Sequence, residues 1–190
     1  MRRGLLIVVS GPSGVGKDTL IRRLLELDDK LVYSVSGTTR RPRPGERPDT
    51  NYTFLTRDKF EELVRQGAFL EHATYNGNLY GTFRDRVEQA REEGRDVVLK
   101  IDVQGAEQVR RLVPDAITVF VVAPSEAERE RRQHERGSET PQDIESRTKI
   151  AVGEMEHAGD YDHVVTNDDV ERAVDEIRRI IEAARRPGVT

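Results

Sequence analysis

Leu5-Leu6-Ile7-Val8-Val9-Ser10-Gly11-Pro12-Ser13-Gly14-Val15-Gly16-Lys17-Asp18-Thr19-Leu20-Ile21-Arg22-Arg23-Leu24-Leu25 is the stretch that decides the fold. Its first five residues are apolar on both faces, as a strand in the middle of a sheet must be. The run from Thr19 onward has helical character. Between them Gly11 to Lys17 reads G-x-x-x-x-G-K, and in a strand–loop–helix setting that spacing marks a phosphate-binding loop. Glycines let consecutive backbone N–H groups turn toward one anion, and the following helix adds the partial positive charge of its N-terminus. Lys17 then reaches the β- and γ-phosphates. Gly11, Pro12, Ser13, Gly14, Val15, Gly16, Lys17, Asp18 and Thr19 are the expected triphosphate site. One position departs from the pattern: after the lysine a Ser or Thr normally offers its hydroxyl to Mg2+, and here stands Asp18. A carboxylate also ligates Mg2+, so Asp18 is the candidate metal ligand. Its charge beside the phosphates calls for a compensating cation.

Working outward, short β-branched runs alternate with helical stretches, the pattern of βα units around a parallel sheet. Val97-Val98-Leu99, Ile117 to Val122 and Val164-Val165 read as further strands. Val103 to Leu112 and Ser125 to Arg136 read as helices, the second opening on a capping box of Ser125 and Glu128. Val170, Val174, Ile177, Ile181 and Ala184 form one apolar helical stripe that packs on the sheet. Two stretches break the rhythm. Residues 34–82 carry Arg40-Arg41-Pro42-Arg43-Pro44-Gly45 and alternating pieces such as Asn51-Tyr52-Thr53-Phe54, which suggest a small antiparallel or mixed sheet inserted between core units. Residues 129–147 are rich in Arg and contain Gly137, Ser138 and Pro141, which suggests a helical flap. The expected fold class is α/β, a P-loop parallel-sheet core with an inserted mixed β region and a helical lid.

The chain has 190 residues, enough for one domain with insertions, and 35% of them are hydrophobic. A net charge of -4 provides no field that would draw nucleic acid. The absence of cysteine excludes disulfides, thiolate zinc sites and a cysteine nucleophile. His72, His134, His157 and His163 show no metal-like spacing. The longest apolar run, Leu5 to Val9, falls far short of the ~20 residues that cross a bilayer, and no cleavage site follows it. A cytoplasmic chain without membrane contact is expected. Nothing in the sequence fixes its oligomeric state.

The loop says nucleotide without saying which reaction. A GTPase needs N-K-x-D to read guanine, and Asn167-Asp168-Asp169 lacks the lysine. A motor ATPase needs more chain. An Arg-rich flap and an insert after the first βα unit suggest a small phosphoryl-transfer kinase whose flap closes over the phosphates.

Several further motifs sharpen this. Ser34-Val35-Ser36-Gly37-Thr38-Thr39-Arg40, Pro42-Arg43-Pro44-Gly45-Glu46, Gly77-Asn78-Leu79-Tyr80-Gly81-Thr82, Ile101-Asp102-Val103-Gln104-Gly105, Arg136-Gly137 and Asn167-Asp168-Asp169 follow the P-loop in order. Along nearly its whole length the chain resembles the guanylate kinases, the ATP:GMP phosphotransferases. The resemblance implies a core of about 1–33, 96–128 and 158–190, a GMP-binding insert of about 34–95 and a lid of about 129–157. It places the GMP phosphate on Arg40, Arg43, Tyr52 and Tyr80, and the guanine edge against Ser36, Glu71, Thr82 and Asp102. Arg132, Arg136 and Arg147 match the lid arginines that approach the ATP phosphates and act with Lys17 in catalysis. Asn167 matches the contact to the adenine end of ATP. Mg2+ with ATP is the implied cofactor, and GMP or dGMP the implied acceptor.

The residue types suit that chemistry. Guanine presents two adjacent donors, N1–H and N2–H2, which one carboxylate accepts, and an O6 acceptor for hydroxyls. Arg40 and Arg43 offer planar forks to a phosphate. Taken singly, Arg40 to Arg43 reads as a solvated loop and Glu71 as a surface carboxylate. Tyr52 and Phe54 alternate, so only one of them faces a ligand. Besides Asp18, the chain departs from the family at Lys100, where an acidic residue is usual, and at His72, where an aromatic is usual. The two charge departures suggest an exchange in which Lys100 pairs with Asp18. They also keep two other readings open: a non-catalytic guanylate kinase-like module of the scaffold-protein type, and a kinase for AMP or dTMP.

Overall fold

The computed structural model describes residues 2–135 and 150–186. In chain order its elements are β1 (Leu6–Ser10), α1 (Lys17–Leu27), β2 (Leu31–Tyr33), β3 (Gly37–Thr38), β4 (Thr53–Phe54), α2 (Arg57–Arg65), β5 (Phe69–Tyr75) and β6 (Asn78–Phe83). There follow α3 (Arg84–Glu92), β7 (Asp96–Lys100), α4 (Val103–Leu112), β8 (Ile117–Val122), α5 (Glu126–Glu135), β9 (His163–Thr166) and α6 (Val170–Arg185). Residues 150–155 are helical as well.

β1 is buried along its whole length at the centre of a parallel sheet ordered β2-β7-β1-β8-β9. Strand alternation sends its side chains to two cores. Ile7 and Val9 pack with Leu20, Leu24, Val174, Ile177 and Ile181 from α1 and α6. Leu6 and Val8 pack with Val87, Val109 and Phe120 on the opposite face. The apolar stripe expected from Val170 onward therefore covers one side of the sheet. Register sets Val9 beside Lys100 on one flank and beside Val119 on the other, so β7 and β8 end level with the loop that leaves β1. Their carboxyl ends on either side of β1 create the crevice where such sheets hold ligands.

A second sheet, ordered β4-β3-β6-β5, is mixed: β3 and β4 run parallel and the other pairs antiparallel. It has a small core of its own, Phe60, Phe69 and Phe83, with the Phe60 and Phe69 rings stacked at 4.5 Å. Thr56 caps α2 by accepting from the Lys59 N–H at 3.2 Å. A register irregularity in β5 separates Phe69, opposite Phe83, from Glu71, opposite Thr82. Bulges of this kind re-aim side chains. α3 packs on the core sheet through Val87, and its Arg91 donates to the Gly4 carbonyl at 2.8 Å.

Far from the crevice, fully buried Asp96 ties the chain ends together. One carboxylate oxygen accepts from the Leu5 N–H at 2.7 Å and from Arg2 at 2.8 Å; the other accepts from Arg185 at 2.7 Å. Arg185 also reaches Asp28 at 2.6 Å. Replacing Asp96 with Ala strands these donors and is expected to cost about 3 kcal/mol, read as a lower urea midpoint at unchanged m-value.

Candidate active site

A cavity of about 850 Å³ lies at the carboxyl end of the parallel sheet and is walled on its far side by the inserted sheet. At one end is the loop between β1 and α1. Gly11 has φ 130, and a Cβ there would stand 2.2 Å from the Val121 carbonyl oxygen; Gly16 has φ 92, and a Cβ there would meet the Asn167 amide at 2.4 Å. Only glycine fits either position. Lys17 lies along the loop, its Nζ donating to the carbonyls of Gly11 and of Pro12, the latter at 2.9 Å. No side-chain cap bonds to the start of α1, and a helix N-terminus of this kind attracts an anion.

The loop is braced from behind. Asn167 Nδ2 donates to the Val15 carbonyl at 2.7 Å. Expected at the adenine end of ATP, Asn167 is only 2% exposed and is absent from the cavity wall, because β9 ends behind the loop. Its Oδ1 has no hydrogen-bond partner among the described residues. Arg132 donates to the Asn167 carbonyl at 2.9 Å and to Glu128 at 2.6 Å, close to the loop as expected. Arg136 and Arg147 lie outside the described residues. Arg129, which the sequence hides among its neighbours on a charge-rich helix, is fully buried. It pairs with Glu126 and donates to the Ser13 carbonyl at 3.2 Å. Ser125 caps the same helix as expected, accepting from the Glu128 N–H at 3.1 Å.

Toward the inserted sheet the cavity is lined by Arg40, Arg43, Tyr52 and Tyr80. The Arg40 guanidinium donates to both oxygens of Glu46, at 2.8 and 3.0 Å, and Glu46 also accepts from the Arg43 N–H at 2.7 Å. Glu46 thus orients the Arg40 guanidinium and fixes the backbone at Arg43, a role that its position in Pro42–Glu46 does not disclose. The Tyr52 and Tyr80 rings meet edge-on at 5.9 Å, and the Arg40 guanidinium carbon lies 5.4 Å from the Tyr52 centroid. Of the alternating pair, Tyr52 lines the cavity and Phe54 does not.

Glu71 and Ser36 also line the cavity, though only 3% and 5% exposed. Thr82 is fully buried and does not line it; its hydroxyl donates to Glu71 Oε1 at 2.5 Å. Thr82 therefore orients the carboxylate from behind. Asp102 caps α4, accepting from the Gly105 N–H at 2.8 Å, while also lining the cavity. At Gly105 a Cβ would stand 2.4 Å from Glu71 Oε2, so the missing side chain is what lets the carboxylate rest against the start of α4. Burial raises the Glu71 pKa to about 7; the Asp102 charge adds to this, and the Thr82 hydroxyl and N–H oppose it.

Between the two ends, Lys100 pairs directly with Asp18. That contact bears on the metal expectation. The Asp18 carboxylate is already engaged by a cation, and no group of three metal-binding side chains occurs among the described residues. Among the described residues there is thus no cage for a resident ion.

A glycine loop closing a buried parallel strand, facing an inserted mixed sheet across one cavity, is the architecture of the P-loop nucleotide kinases. The family model for guanylate kinase matches residues 3–184, and the chain belongs to that family. It is 52% identical to a guanylate kinase of Rubrobacter xylanophilus over 181 residues, 95% of each chain. It is 47% identical to one of Alkalilimnicola ehrlichii, over 96% of this chain and 90% of that one. Among solved structures it resembles guanylate kinase from Anaplasma phagocytophilum with a TM-score of 0.83 at 34% identity, over 98% of this chain and 88% of that one. Among the described residues no helix is long and apolar enough to cross a membrane.

Because the Glu71 carboxyl is raised from about 4.5 in the unfolded chain to about 7 in the fold, its ionisation opposes folding. That contribution is absent below about pH 4.5 and grows to its full size above about pH 7. Glu71→Gln is expected to leave stability unchanged at pH 4.5 and to raise it by up to about 3 kcal/mol at pH 8, measured by denaturant unfolding at both pH values.

Proposed function

We propose that the chain transfers the γ-phosphoryl group of ATP, taken as its Mg2+ complex, to the phosphate of GMP or dGMP. The observation that carries this reading is the buried carboxylate of Glu71, facing the same cavity whose other end is the P-loop. Ionised, Glu71 accepts from guanine N1–H and N2–H2, and Ser36 serves O6. Asp102 stands beside them. Adenine, lacking the N1–H, leaves this desolvated acceptor unpaired; sites of that design discriminate by about 10⁴ or more.

Arg40, Arg43, Tyr52 and Tyr80 hold the acceptor phosphate, Arg40 exchanging Glu46 for phosphate oxygens. The donor phosphates lie on the N–H groups of residues 11–19 with Lys17 at the β- and γ-positions. Mg2+ bound to the triphosphate supplies neutralisation of its β- and γ-oxygens. Asn167 braces the loop from behind through the Val15 carbonyl, and Arg132, with Arg136 and Arg147 of the lid, adds positive charge at the phosphoryl group in flight. The attacking phosphate oxygen is already anionic, so no general base is needed, and catalysis consists of alignment and charge neutralisation. We place the working units at about 1–33, 96–128 and 158–190 for the core, 34–95 for the insert and 129–157 for the lid. A cysteine-free chain suits the reducing cytoplasm.

The non-catalytic reading is not favoured, given an intact Lys17 and glycine loop and the relatives reported above. A coupled assay for ADP, run over GMP, dGMP, AMP and dTMP, tests the reaction. Turnover is expected only with ATP, Mg2+ and a guanine monophosphate together. Glu71→Ala is expected to lower kcat/KM for GMP by at least about 100-fold without affecting ATP binding. Turnover of AMP or dTMP above that of GMP would overturn the assignment. Gly105→Ala is expected to fold, since alanine favours the helix, yet to raise KM for GMP about tenfold by displacing the carboxylate; steady-state kinetics check it.

A further inference from the structure

Lys100 ends β7 beside Val9, where the sheet meets the nucleotide loop. Its side chain is 16% exposed and lines the same cavity as Arg40, Arg43 and Tyr52. Its Nζ stands 5.4 Å from the Tyr52 ring centroid, the same distance as the Arg40 guanidinium carbon from that ring. Two cations, one from the core and one from the insert, thus approach a single tyrosine. Each is held by a carboxylate on a loop or helix start: Arg40 by Glu46, Lys100 by Asp18.

The partners are unequal in one respect that matters. Asp18 is 63% exposed at its side chain, so water can replace Lys100 as its partner at little cost. Lys100 is mostly buried and requires an anion. A phosphate monoester carries up to two charges and three strong acceptor oxygens, a better partner for an ammonium group than one solvated carboxylate.

We propose that Lys100 is a third cation for the acceptor phosphate, released by Asp18 to a phosphate oxygen when the monophosphate binds. This rests on the reading above that the GMP phosphate lies among Arg40, Arg43, Tyr52 and Tyr80. It assigns Lys100 a direct contact with substrate, and Asp18 the role of a resting counter-ion with which the phosphate competes.

The experiment is a calorimetric titration of the full chain with GMP and, separately, with guanosine, without ATP or Mg2+. In Lys100→Met the GMP Kd is expected to rise at least tenfold while the guanosine Kd stays within twofold. If GMP affinity is unchanged, or both ligands weaken equally, Lys100 serves only its pair with Asp18 and the proposal falls. Should Lys100→Met fail to fold, Asp18→Ala carries the test. Freeing Lys100 from its competitor is expected to tighten GMP about threefold and leave guanosine unchanged; unchanged or weaker GMP binding overturns the proposal. A wild-type chain with no preference for GMP over guanosine removes the underlying reading and this proposal with it. A wild-type preference that Lys100→Met leaves intact removes the proposal alone.

Discussion

The close approach of the backbone at Gly11 and Gly16 to the rest of the core is the constraint on which this structure depends. The loop between β1 and α1 turns where it does because no side chain separates Gly11 from the Val121 carbonyl or Gly16 from Asn167. Several elements converge on that turn. β8 supplies Val121, the end of β9 supplies Asn167, and α5 supplies Arg129 to the Ser13 carbonyl. The glycine loop is therefore a joint as well as an anion site. α5 is tied to this joint through Arg129 on the Ser13 carbonyl and through Arg132 on the Asn167 carbonyl.

The opposite end of the cavity shows the cost of selectivity. A carboxylate that is 3% exposed opposes folding once ionised, and nothing in the inserted sheet places a cation beside it among the described residues. What holds it there is a hydroxyl from Thr82 and the bare backbone at Gly105. On the reading proposed above, an acceptor so poor in partners is best complemented by a base with two adjacent donors. The phosphate end follows the contrary rule. Arg40 has Glu46 as its carboxylate counter-ion and Lys100 has Asp18, so both cations are oriented within the cavity wall.

Much of the fold was legible because it rests on local signals. Val103–Leu112 and Ile117–Val122 were read to the residue from apolar spacing, and Ser125 from its capping pattern. β2, at three residues, is too short to carry a pattern, and α3 carries one without saying which sheet it covers. Of the candidate site residues, Glu71, Ser36, Arg40, Arg43, Tyr52, Tyr80 and Lys17 do line one cavity. Thr82 and Asn167 stand one layer behind it, since a motif marks a position on the chain and not the direction of its side chain. Arg129 and Glu46 carried no signal at all. Each is an ordinary charged residue until its partner, set by packing, is known.

The sequence by itself determined that a buried strand runs into a phosphate-binding loop and a helix, because glycine spacing and apolar periodicity are properties of neighbouring residues. It also determined that Asp18 required a cation. Only the tertiary structure decided that the cation is Lys100, 82 positions away, that Glu71 is buried enough to resist ionisation, and that Gly105 makes room for it. Those outcomes depend on distances between segments remote in the chain, and it is through such distances that burial and Coulomb forces act.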